Sequence, residues 1–206
     1  MPIIDDLSFL TKTRVVIWEI KESVNDLKSK VVLSNDSLKL LNQKKTEIHK
    51  KQFLAIRNIF NFLCIDEKDV RYVKSGKPIF LKKNKISISH SGNYAALIIS
   101  ENNVGIDIEI MNDKILKIKS KFLETELNYP AKLSAETTLV YWNIKESIFK
   151  AVDKNGVHFK KNILVLPLNK KKNIVKSWYI DDDEIYSFDT YFKISKKYTL
   201  AYVIKN

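Results

Sequence analysis

The chain has 206 residues, 45% hydrophobic and 29% charged, which is enough apolar mass for a buried core and excludes a wholly disordered chain. Four Gly and four Pro exclude collagen-like or linker-dominated sequence, and a single cysteine, Cys64, excludes an intramolecular disulfide and a cysteine-cluster zinc site. Lys and Arg total 36 against 24 Asp and Glu, so the net charge is +12, spread over both halves. Such a surface attracts anions: nucleic acid, phosphate-rich cofactors, acidic proteins or acidic lipid.

The first residues, Met-Pro-Ile-Ile-Asp-Asp, lack a basic segment followed by a long apolar run, and apolar stretches such as 94–99 are too short to span a bilayer as a helix. No signal peptide and a soluble cytoplasmic protein are expected. Residues 15–20 read as a first strand, and 37–42 and 47–63 as helices. In the second helix Ile56, Ile59, Phe60 and Leu63 fall at helical spacing on one face. Cys64 follows in an apolar run and is expected to be buried. Gly76-Lys77-Pro78 is a turn with Lys77 held extended before proline.

Residues 86–91, Ile-Ser-Ile-Ser-His-Ser, alternate with period two, and Gly92-Asn93 turns the chain into a returning strand over 94–100. A third strand covers 104–110. Residues 134–153 form a long helix with Ser134 as N-cap, Tyr141, Ile144, Ile148 and Val152 along one apolar stripe, and Asn155-Gly156 as its end. Strands follow over 163–166, 176–180, 185–194 and 198–204. Helices and strands occur in both halves without regular βαβ alternation, which argues for an α+β fold.

Three segments carry chemistry. In Gly105-Ile-Asp-Ile-Glu109, Asp107 and Glu109 share one strand face while Ile106, Ile108 and Ile110 point to a core on the other. Paired carboxylates are either ordinary solvated groups or oxygen ligands for a cation such as Mg²⁺, which keeps open positions for a substrate phosphate. In Trp142-Asn-Ile-Lys-Glu-Ser-Ile-Phe-Lys150, Glu146 and Lys150 are four apart on a helix. They are either a surface ion pair or a metal or base carboxylate beside a phosphate-binding lysine. In Ser89-His90-Ser91 a hydroxyl and an imidazole lie at a strand end, making turn hydrogen bonds or contacting a phosphate oxygen. The three histidines, 49, 90 and 158, are scattered, so a multi-His metal site is not expected.

Together with Gly76-Lys77-Pro78 and Lys121-Phe-Leu-Glu-Thr-Glu126, these motifs stand in an order and spacing that resembles the 4′-phosphopantetheinyl transferases, in their larger pseudo-dimeric form. By motif the resemblance covers roughly residues 40–160. It implies two similar lobes related by pseudo-twofold symmetry, 1–103 binding coenzyme A and 104–206 carrying the carboxylates and catalytic helix, with the active site between them. It also implies transfer of the phosphopantetheine arm of coenzyme A, as co-substrate, to a serine of an acidic apo carrier protein, with adenosine 3′,5′-bisphosphate released. Residue by residue, Asp107, Glu109 and Glu146 match metal-binding carboxylates, for Mg²⁺ or Mn²⁺, and Glu146 also matches the proposed general base. Lys150 matches a pyrophosphate-contacting lysine, and Lys77, Ser89 and His90 match coenzyme A contacts. The basic contact to the 3′-phosphate falls on Lys51, where many members have Arg, or on Arg57. Leu123 stands where an aromatic is more usual.

The expected protein is therefore a monomeric transferase with coenzyme A and a carrier protein as partners and neither nucleic acid nor membrane. Two rivals remain. One is a lapsed member that binds coenzyme A or a carrier protein without transfer. The other is a basic nucleic-acid-binding protein, against which stand the dispersed lysines and the absence of a zinc-finger, RNP-type or helix-turn-helix pattern.

Overall fold

The computed structural model describes residues 3–6, 12–73 and 76–206. The chain divides into two units, Met1–Glu101 and Asn102–Asn206. Both mix helix and sheet, so the fold is α+β as the sequence implies.

In the first unit the strands β1 (Ile3–Asp6), β2 (Thr13–Glu19), β5 (Lys85–Ser91) and β6 (Tyr94–Ser100) form an antiparallel sheet in the order β1-β2-β6-β5. The β5–β6 hairpin turns at Gly92-Asn93, pairing Ser91 with Tyr94. Gly92 has φ 51, the left-handed region that glycine enters without a Cβ penalty. The helices α1 (Val24–Ser29), α2 (Asn35–Asn42) and α3 (Glu47–Phe62) accompany this sheet. α3 starts at Thr46, whose side chain accepts from the His49 amide. Its Leu54, Ala55, Ile59 and Phe60 bury against Val16, Trp18, Ala95 and Leu97 of the sheet and Leu27 of α1. α1 is too short to show helical periodicity in the sequence, yet Ser23 and Asp26 close a capping box at its start. A small ribbon, β3 (Val70–Tyr72) with β4 (Pro78–Phe80), carries the Gly76-Lys77-Pro78 turn.

Cys64 is exposed, not buried. It has φ 54 just past the end of α3, so the chain swings away before its side chain can join the helix's apolar face.

In the second unit β7 (Val104–Ile110), β8 (Ile163–Val165), β9 (Ile174–Ile180), β10 (Ile185–Ile194) and β11 (Tyr198–Lys205) form an antiparallel sheet in the order β7-β11-β10-β9-β8. The short helices α4 (Ile115–Ile118) and α6 (Phe159–Asn162) flank the long α5 (Ala135–Val152). Ser134 caps α5, as expected, with Thr137 returning the bond. The helix ends on Asp153 in the left-handed conformation, three residues before Gly156. Leu139, Val140, Ile144 and Ile148 of α5 bury with Val175, Phe188, Ala201 and Val203 of the sheet. Ile110, expected in the core, is exposed at the end of β7, whereas Ile106 and Ile108 are fully buried.

The two units share a connectivity. In each, a strand leads to a long helix, and the last strand inserts between that first strand and its own hairpin partner, as β2-β6-β5 and as β7-β11-β10.

Candidate active site

The carboxylate motif and the long helix converge within the second unit. Gly105, Asp107 and Glu109 alternate along the face of β7 that looks onto α5. A Cβ at Gly105 would lie 1.8 Å from the carbonyl oxygen of Ser147, so the helix backbone rests directly on the strand there. Asn143, Glu146, Ser147 and Lys150 recur at helical spacing on the strip of α5 turned to β7 and β11. Ser147 Oγ donates to the Ala201 carbonyl at 3.0 Å, fixing the helix over β11.

Lys150 reaches across to β7 instead of pairing along its own helix. Its Nζ donates to Asp107 Oδ1 at 2.7 Å and to the Ile106 carbonyl at 3.0 Å. The other Asp107 oxygen, Oδ2, accepts from Asn143 Nδ2 at 2.9 Å. Glu146 is pushed up to about 7, first by desolvation and then by the Asp107 charge, with Lys150 opposing and Glu109 adding to the rise. The three carboxylates therefore share one electrostatic field with one ammonium in it. Among the described residues no group of three or more His, Cys, Asp or Glu side chains is closed around a possible metal position. The chemistry of the donor set nevertheless fits a divalent cation: hard oxygens, excess negative charge, and one oxygen already drawing a cationic group.

A second structural pair went unremarked in the sequence. Lys145, adjacent to Glu146, is completely buried, with Nζ 2.8 Å from Glu126 Oε1. The same ammonium donates to the carbonyls of Phe159 and Ile163. Glu126 also accepts from the amides of Glu124 and Val165. Burial lowers the Lys145 ammonium from its ordinary value while Glu126 opposes that. The signal lay in the sequence as Lys145 and the final Glu of Lys121–Glu126, but neither names its partner at that separation. Trp142 packs edge-on to Phe122 at 5.0 Å and tilted to Phe159 at 5.6 Å, and Leu123 is fully buried in the same core.

The remaining expected residues lie in the first unit. Gln52 Nε2 donates to the Gly92 carbonyl at 2.8 Å, tying the start of α3 to the β5–β6 turn. This sets His49, Gln52 and Phe53 beside His90 in a cavity of about 570 Å³ whose wall also includes Lys44, Tyr72 and Pro78. Gln52 Oε1 is buried there with no hydrogen-bond partner among the described residues. His90 is exposed, Ser89 is buried and Lys77 is half-buried next to Pro78. Lys51 pairs with Glu47 at 2.9 Å.

Arg57 is buried and engaged. It donates to Glu67 at 2.9 Å, to Ser37 and to the Tyr72 hydroxyl, and its guanidinium lies 3.9 Å from the Phe53 ring centroid. Lys44 and His49 line the cavity without having been singled out. They sit at an otherwise unremarkable helix end and start, and only the hairpin's return brings them to His90.

No helix among the described residues is long and apolar enough to cross a membrane. The chain is 27% identical over 131 residues to the 4′-phosphopantetheinyl transferase gsp of Aneurinibacillus migulanus; the match covers 60% of this chain and 55% of that protein. The chain thus spans little more than half the length of this curated relative. Residues 103–203, holding β7, α5 and the closing strands, match the sequence model of the 4′-phosphopantetheinyl transferase superfamily. Through these residues, just under half of its length, the chain is similar to the 4′-phosphopantetheinyl transferase superfamily.

Proposed function

We propose that this protein transfers the 4′-phosphopantetheine arm of coenzyme A to a serine hydroxyl of an apo carrier protein, releasing adenosine 3′,5′-bisphosphate. The observation that supports it most is the cluster on β7 and α5: Asp107 held by Lys150 and Asn143, with Glu146 raised to about 7 beside them. In this reading the carrier serine oxygen attacks the β-phosphorus of coenzyme A. The bond from that phosphorus to the bridging oxygen breaks, and that oxygen leaves with the adenosine 3′,5′-bisphosphate. The serine proton passes to Glu146, directly or through one water.

Lys150 places its ammonium against the pyrophosphate, where negative charge grows on the leaving group. Asp107, Glu109 and Glu146 would hold the metal, Mg²⁺ or Mn²⁺, which when bound offsets phosphate charge. Lys77, Ser89, His90 and Lys51 or Arg57 are assigned to coenzyme A, with the adenine nucleotide in the first unit. No nucleophilic residue is needed, because the attacking serine belongs to the partner. The +12 charge favours association with polyanionic coenzyme A and with an acidic carrier protein. The reading also includes a monomer acting in the cytoplasm.

The test is mass spectrometry of an apo carrier protein incubated with coenzyme A, Mg²⁺ and this protein. A gain of one phosphopantetheine arm supports the reading. An unmodified carrier that nonetheless binds would favour a lapsed binder, and capture of RNA in place of the carrier would favour the nucleic-acid reading.

A further inference from the structure

Asp107 does not stand alone on β7. It terminates a buried chain of hydrogen bonds that begins on the neighbouring strand. Thr199 Oγ1 lies 2.5 Å from Asn143 Oδ1, and Asn143 Nδ2 lies 2.9 Å from Asp107 Oδ2. Thr199 and Asn143 are fully buried, and Asp107 nearly so. The direction of the chain follows from donor chemistry. An ionised carboxylate only accepts, so the amide must turn its NH₂ to Asp107. Its carbonyl oxygen then faces Thr199, whose hydroxyl must donate. One orientation satisfies every polar atom in the chain, and the reverse places two acceptors together.

The consequence lies at the other oxygen. With Oδ2 committed to Asn143, the carboxylate plane is set and Oδ1 is aimed at Lys150, whose side chain is 26% exposed. Lys150 is thus the solvent-accessible end of the arrangement and Asn143 the buried end. We propose that Asn143, held by Thr199, is a positioning residue that presents Asp107 with one oxygen anchored in the protein and one offered to an exchangeable cation: the Lys150 ammonium here, the divalent metal during transfer. This rests on the reading of Asp107 as a metal ligand. It adds a role for an asparagine and a threonine that the motif correspondence leaves unassigned. Partners that orient a ligating carboxylate commonly matter to metal affinity, by about 10- to 100-fold.

The test is Mn²⁺ binding followed by electron paramagnetic resonance, with coenzyme A present, a coenzyme A blank subtracted and no carrier protein, so that no turnover occurs. Asn143→Leu and the near-isosteric Thr199→Val should both weaken Mn²⁺, the first by about 10-fold or more. Thr199→Ser, which keeps the hydroxyl, should bind as the unaltered protein does. Thermal melts accompany each variant, since a merely structural role would lower the melting temperature and leave Mn²⁺ affinity unchanged in the folded protein. If Asn143→Leu fails to fold, Thr199→Val decides. Asp107→Asn is the control: if it binds Mn²⁺ as tightly as the unaltered protein, the metal reading itself is overturned. If Asp107→Asn loses Mn²⁺ while Thr199→Val and any folded Asn143→Leu retain it, the metal reading stands and the positioning role is overturned.

Discussion

Gly105 on β7 and Ser147 on α5 touch backbone to backbone: a Cβ on the glycine would lie 1.8 Å from the serine carbonyl oxygen and 2.7 Å from its carbonyl carbon. The obstacle is main chain in mid-helix, which cannot swing aside like a side-chain tip. Gly105→Ala is therefore expected to lift α5 from the sheet at the point where Asn143 and Lys150 reach Asp107. Overpacking of this kind costs about 1–3 kcal/mol. Chemical denaturation should show that loss, and transfer activity should fall further than stability does.

Glu146→Gln and Lys150→Ala separate a catalytic pair from a helix ion pair. Lys150 on α5 bonds Asp107 on β7, so its loss leaves that nearly buried carboxylate without its cation. Glu146→Gln should lower kcat by roughly 10²–10⁴-fold, the range for a lost general base, with little change in melting temperature. Lys150→Ala should impair both coenzyme A affinity and kcat. Near-normal steady-state kinetics for both variants would remove them from the site.

Lys145 has the opposite profile. Its ammonium is fully buried against Glu126 and two carbonyls that no other described cation serves. Lys145→Met strands the Glu126 carboxylate and should cost about 3–5 kcal/mol in urea unfolding. Adding Glu126→Gln should restore part of that loss, because the buried charge is then gone.

The first unit distinguishes the two candidate 3′-phosphate contacts. Arg57 is committed to Glu67, Ser37 and Tyr72 inside the unit, whereas Lys51 pairs with a solvent-facing glutamate. Arg57→Lys should lower the melting temperature, since an ammonium cannot reproduce the forked contacts. Lys51→Ala should leave the melt unchanged and weaken coenzyme A by about 1.5–3 kcal/mol, the scale of a charge-assisted bond. Dephospho-coenzyme A should bind that variant as before. Equal loss of both ligands by calorimetry would move the contact elsewhere, with Lys44 and His49 of the cavity wall next to be replaced.

Lys154 gathers Asp181 and Glu184 at the surface of the second unit, and hydrogen bonds from Lys154 hold both carboxyls below their ordinary values. Groups with a depressed folded pKa stabilise above their unfolded values and lose that contribution as acid protonates them. Lys154→Met should therefore be most destabilising near neutral pH. Its difference from the unaltered protein should shrink below about pH 4, where the carboxyls of the unfolded chain begin to protonate. Urea unfolding across that range measures it, and a difference independent of pH would show that the cluster is not electrostatically coupled to folding.

Local pattern alone disclosed much of this protein. Period-two alternation over 86–91 and 104–110, the Gly92-Asn93 turn and the Ser134 cap are nearest-neighbour effects, written within a few residues and reproduced to within a residue or two in β5, β7 and α5. The order of the motifs likewise identified which carboxylates and lysines to watch. Pairings over long separations were not legible. Thr199 with Asn143, Lys145 with Glu126 and Lys150 with Asp107 join segments far apart in the chain, and each depends on how α5 lies across the sheet. That position is decided by the missing side chain at Gly105, whose effect exists only once strand and helix are in contact. Cys64 failed for the same reason in reverse: an apolar neighbourhood in sequence placed it inside, while the left-handed turn after α3 carried it out. Residue type and spacing set what each segment can do; which charges meet, and which are buried when they meet, is settled only by packing.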